Sequence, residues 1–285
     1  MRRILTLACA ILLAAPAAQA STFKISTALD FSGANLSANE QFVFRKLVDQ
    51  ATAFWTTNIT GYQVNDPFLR GVTVPISFNR LRRTTIAQTS DDLIWDGVQT
   101  SNGVTYSETQ SIVVNTQFLS QAISDRGFGR SILIHEFAHA IGFGLRWQDN
   151  GVYSEGTGQY TGVNAADAYR AEFDPAATFV PVTNGTNRSG ADDLHWDEDW
   201  AGGSDAIMTP FLDKDSFVST TTLLSFRDIG YTTRDEVIVA PIPLPAGLWV
   251  YLTGLFGLFF SYVVGRTPTE NSVTRYVGSP ACPGG

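Results

Sequence analysis

Apolar side chains recur at helical spacing over about 38–57, where Val43, Leu47, Ala51 and Phe54 share one face. Ser37 followed by Glu40 is the pattern of a capping box, which starts that helix. From Val72 the period changes. Val72, Val74, Ile76 and Phe78 alternate with other residues and predict a strand. Pro75 within it predicts an edge position, because proline has no N–H to give a ladder. Asn102-Gly103 marks a turn between two short extended stretches. Ser111–Asn115 predicts a further strand, residues 127–130 a short break, and about 130–142 a helix ending at Gly142. The stretch 143–194 reads as a glycine-rich insertion of loops with one helical piece at about 164–173. A last helix is expected at about 219–229.

The two ends have a different pattern. Met1-Arg2-Arg3, an apolar run from Ile4 and Ala18-Gln19-Ala20 together read as a secretory signal peptide over 1–20, with Ser21 the mature N-terminus. No charge occurs between Glu236 and Arg266, and 246–264 is mostly apolar over nineteen residues, enough to span a bilayer. Pro241-Ile242-Pro243-Leu244-Pro245 stands just before it. The segment 241–266 resembles a PEP-CTERM sorting tail, which implies processing by an exosortase-type enzyme and delivery to the cell surface. A single-pass membrane anchor is the other reading of this segment. Residues 21–236 then form the exported domain.

Composition narrows the function. The chain is 44% hydrophobic and 12% aromatic, which excludes a disordered or coiled-coil protein. Its net charge of −8 excludes a nucleic-acid binder, since no basic surface is available to meet phosphates. Cys9 and Cys282 both fall outside 21–236, so the domain has neither a disulfide nor a thiolate nucleophile. The patterns at Asn35, Asn58, Asn184 and Asn187 that match N-x-Ser/Thr read as chance.

The chemistry sits on the helix at 130–142. His135 and His139 are four apart and project from one face, where they can grip one zinc ion and leave other positions open. Glu136 follows the first ligand and is placed to act on a metal-activated water. Ile134, Phe137, Ala138 and Ile141 form the opposite, core-facing stripe. The chain has three histidines, so His195 is the one imidazole left to complete the site. Met208 lies thirteen residues beyond it.

The pattern H-E-x-x-H-x-x-G, a third His and a Met-containing turn resembles the metzincin metallopeptidases. The common family position for the third His is Leu145 here, and the long insertion before His195 resembles the leishmanolysin-like branch. So do His195-Trp196, Ile207-Met208-Thr209-Pro210 and the run from Leu224 to Tyr231. The resemblance implies a metzincin-like α+β domain. An N-terminal subdomain (21–142) with a twisted sheet carries the active-site helix, and a smaller irregular subdomain (143–236) supplies His195. A cleft between them holds a protein or peptide substrate. It further implies Zn2+ on His135, His139 and His195, Glu136 as general base, and Met208 as a hydrophobic base under the metal.

Two alternatives stand beside it. A thermolysin-like site would take Glu155 or Glu172 as third ligand. A catalytically silent surface or matrix protein would close a structural zinc with a fourth ligand, such as an acid from the run Asp192, Asp193, Asp197, Glu198 and Asp199. Trp147 and Trp196 are read as core residues. The strand near 111–116 is the expected rim on which an extended peptide would pair.

Overall fold

The computed structural model describes residues 23–82, 85–90, 97–185, 191–212 and 216–239. The chain divides at Ala240/Pro241, and the expected signal peptide, Pro-rich segment and 246–264 span all lie outside the described residues. Among the described residues no helix is long and apolar enough to cross a membrane.

The fold is α+β. Its main sheet draws on β1 (Ile25–Leu29), β3 (Val72–Asn79), β4 (Ala87–Ser90) and β7 (Ser111–Asn115), in the order β1-β3-β7-β4. The first three are parallel and β4 is antiparallel. Parallel neighbours need a crossover, and α1 (Ala38–Asn58) supplies it between β1 and β3. Its capping box forms as expected: the Ser37 hydroxyl accepts from Glu40 N at 3.3 Å, and Glu40 accepts from Ser37 N at 2.8 Å. The buried face of α1 includes Phe44, Leu47, Ala51, Phe54 and Trp55. Trp55 Nε1 donates to Ile134 O at 2.9 Å, which ties this helix to the histidine-bearing one.

β3 is an interior strand, not the edge that Pro75 suggested. Thr73 bonds the β7 side, giving its N–H to Glu108 O and accepting from Gln110 N. Two residues on, Pro75 faces the same side, between that isolated bridge and the ladder that begins at Ile76↔Ile112. The missing donor therefore falls at a join in the pairing, where it omits one bond without ending the strand. β7 is interior as well, flanked by β3 and β4, so the expected peptide-pairing rim at 111–116 is not free. Among the described residues, β4 is the outermost strand on that side.

Short elements complete the first half: β2 (Ile59–Tyr62), the hairpin of β5 (Gly97–Gln99) and β6 (Thr105–Ser107), and α2 (Leu119–Ser124). The long helix α3 spans Arg126–Ile141, with Asp125 accepting from Phe128 N at its start. The break expected at 127–130 is absent. A Cβ on Gly129 would lie 2.2 Å from Ala122 O and 2.9 Å from a Leu47 methyl. Glycine is there to let α3 approach α2 and α1 closely, inside an unbroken helix.

Beyond α3 come the two-residue strands β8 (Gln159–Tyr160) and β9 (Val180–Pro181), which pair, then α4 (Val163–Glu172), α5 (Thr220–Asp228) and β10 (Tyr231–Thr233). β10 returns to pair with β2. Farther on, Ile238 exchanges bonds with the buried Asn58 side chain, its N–H to Oδ1 at 2.7 Å and its carbonyl from Nδ2 at 2.9 Å. Four rings stack in a column, Trp147 on Trp196, Trp196 on Trp200, and Trp200 on Tyr169. Trp147 and Trp196 are fully buried, as core residues.

α4 and α5 cap each other. Gly162 offers α4 no side chain, and Asp228, the last residue of α5, accepts from Asn164 N and Ala165 N instead. Glu172, the last residue of α4, accepts from Thr220 N and Thr221 N at the start of α5. Each carboxylate meets the positive end of the other helix. Replacing the partly buried Asp228 with alanine is expected to lower stability by about 2 kcal/mol, and the exposed Glu172 by about 1 kcal/mol. Thermal unfolding of the two variants checks the order.

Candidate metal centre

His135 and His139 stand one turn apart on α3, and His195 comes from the irregular second half. The three Nε2 atoms form a triangle with every edge 3.1 Å. No hydrogen lies between them, because each ring gives its Nδ1 proton to a main-chain carbonyl. His135 donates to Ile207 O at 2.6 Å, His139 to Phe143 O at 2.9 Å and His195 to Ala191 O at 3.0 Å. With Nδ1 protonated, each Nε2 presents a lone pair.

Each carbonyl is itself fixed. Gly142 has φ +137° and ends α3 in a Schellman turn, with Gly142 N on His139 O and Phe143 N on Ala138 O. That turn directs the Phe143 carbonyl back to His139. Ile207 belongs to the turn that also carries Met208. Its N–H bonds Phe217 O, and the Met208 carbonyl accepts from Trp196 N. The turn therefore touches His135 on one side and the neighbour of His195 on the other. Met208 is fully buried. His195 O accepts from Thr183 N, and the Trp196 indole donates to Thr222 on α5 at 2.9 Å.

The site is buried without being sealed: His135 keeps 9% of its surface, His139 6%, His195 7% and Glu136 6%. Burial drives the rings toward the neutral form. It pulls His135 down to about 4, and His195 to about 3 with the help of His135 beside it. His139 falls well below the usual imidazole range, through burial and then the two neighbouring rings. Burial pushes the Glu136 carboxyl up to about 7, against the hydroxyl of Thr89, which bonds it and lowers it. Thr89 Oγ1 lies 2.7 Å from Glu136 Oε2 and 3.0 Å from Glu136 O.

Compared with protein-family models and with curated proteins, the chain matches none. What the centre does must therefore follow from its own geometry. The three buried histidines lie close enough to bind one metal ion. Three nitrogens about 2.0–2.1 Å from one ion stand a little over 3 Å apart, so the triangle fits. Three converging lone pairs with no donor are the donor set of a cation site.

The sequence-expected ligands His135, His139 and His195 are thus brought together, and Glu136 is buried next to His135 in the helix. The carboxylates offered as alternatives are not. Glu155 is exposed, and Glu172 caps α5. Among the described residues no acid of the 192–199 run joins the metal-binding group. Asp193 holds the Tyr153 hydroxyl and Gly156 N, and Glu198 holds Phe211 N. Thr89 and the three carbonyls escaped sequence reasoning. A main-chain carbonyl has no residue signature, and a threonine in a short strand has no distinguishing neighbour.

Substituting any one of the histidines with alanine is expected to reduce bound metal from about one ion per chain to none after gel filtration. The far-UV circular dichroism should stay unchanged, because the two remaining rings keep their main-chain carbonyl partners. The metal-free protein is expected to lose stability as pH falls from about 6.5 toward 4. Over that range the unfolded chain takes up imidazole protons that the folded rings refuse. A chelated sample with a flat unfolding midpoint between those limits would contradict this.

Proposed function

We propose that the protein is an exported zinc endopeptidase of the metzincin kind, in its leishmanolysin-like branch. The observation that carries the reading is the convergence of three Nε2 lone pairs, with Glu136 the residue after the first of these histidines on α3 and buried like them. Zinc is the metal that suits three neutral imidazoles with no thiolate and a position left open for substrate. His135, His139 and His195 would hold it. The chemistry that a bound zinc ion supplies is activation of water and polarisation of the scissile carbonyl. Glu136 accepts the proton of the attacking water and passes it to the leaving amine. The Met208 turn, bonded toward His135 and beside His195, keeps the two outer ligands in register.

An extended peptide is expected along the outer side of β4, the last strand of the sheet among the described residues, since Thr89 of that strand reaches Glu136. Export and surface delivery, by exosortase-type processing or as a membrane anchor, rest on the sequence patterns at 1–20 and 241–266. The structural-zinc alternative needs a fourth protein ligand, and the three-histidine group gives it no support.

The test is cleavage of an unfolded protein by the purified zinc-loaded protein beside Glu136→Gln. The variant should keep its metal and lose roughly 10²–10⁴-fold in kcat. No cleavage by the native protein, with one tightly held ion, would sink the endopeptidase reading.

A further inference from the structure

The imidazoles are oriented by main-chain carbonyls, but Glu136 is held differently. Among the described residues its side chain hydrogen-bonds one partner, Thr89 on β4. The Thr89 hydroxyl has one hydrogen to give. Glu136 Oε2 at 2.7 Å and Glu136 O at 3.0 Å are both within its reach, and the carboxylate, the nearer and stronger acceptor, takes the main share of the hydrogen. One atom thereby reaches both the main chain and the side chain of Glu136, and the carboxylate cannot swing freely. Oε1, which bonds none of the described residues, is left to take a proton.

The support is independent of the metal ligands. Thr89 stands opposite Ile112 in the β4–β7 ladder, and β7 is locked in turn against β3. The ligands answer to α3 and to the loops at 191–209. The carboxylate answers to the sheet.

We propose that Thr89 is a positioning residue for the general base. Its hydroxyl aims the Glu136 carboxylate at the attacking water and links that aim to the strand edge where substrate lies. This rests on the endopeptidase reading, and the experiment separates the two. Thr89→Val keeps the branched shape and strand preference and removes the hydroxyl. Thr89→Ser keeps the hydroxyl, and Thr89→Ala replaces the valine variant if that one does not fold.

In the zinc-loaded full chain, kcat is expected to fall about tenfold or more in Thr89→Val, part of what the general base supplies. KM, metal content and unfolding midpoint should hold, and Thr89→Ser should recover most of the rate. A second measurement needs no turnover. Acetohydroxamate presents an acidic oxygen to the metal and the carboxylate, and its calorimetric affinity should weaken severalfold in Thr89→Val and not in Thr89→Ser. Unchanged kcat and unchanged affinity in Thr89→Val would overturn the proposal. So would equal losses in the valine and serine variants, or a change confined to KM. A native protein that cleaves nothing, but whose Thr89→Val variant binds acetohydroxamate more weakly, would remove the endopeptidase reading and leave Thr89 as the residue that sets Glu136.

Discussion

Three imidazole nitrogens face one another at 3.1 Å with their protons turned outward. Without a cation, that arrangement is repulsive, and water is largely kept from relieving it. The fold holds it by giving each outward proton an acceptor from a different piece of chain. One is the turn after α3, one the start of the 191–200 segment, and one the turn at 205–209. A buried polar network of this sort is stable only when every member is satisfied. Removing one carbonyl from place would free a ring to rotate and spoil the common focus.

The rest of the molecule keeps those three pieces still. The column of Trp147, Trp196, Trp200 and Tyr169 pins the segment that follows His195. The crossed caps of Asp228 and Glu172 make α4 and α5 one unit, and Thr222 of that unit holds the Trp196 indole. On the other side Trp55 fastens α1 to the α3 backbone one residue before His135. Both cysteines lie outside the described residues, so aromatic packing and helix-end hydrogen bonds do here what cross-links do in many small exported domains.

How much of this was legible in the chain depends on the range of the interaction. The start of α1 rests on Ser37 and Glu40, three residues apart, and was readable. So was the histidine pair, because a helix converts a spacing of four into one face. His195 was reachable because so few histidines exist. Pro75 misled, since whether a strand tolerates proline depends on where its partner's ladder begins. Gly127 and Gly129 read as a break, and the purpose of Gly129 lies in the neighbouring helices it approaches. Thr89 was invisible for the same reason: its meaning comes from a helix 47 residues away in sequence.

Asn58 sits in an N-x-Thr pattern, yet its side chain is completely buried and its amide is spent on Phe54 O and on both main-chain groups of Ile238. No sugar can be attached to that nitrogen in the folded protein. The same side chain also sets a minimum length for any shortened version of the protein. A recombinant chain stopped at Glu236, where the composition changes, would leave a buried amide short of two partners, at a cost of about 1–3 kcal/mol. The folded unit must reach at least Ile238, whose main chain, though its side chain is exposed, completes the bonds of a buried amide.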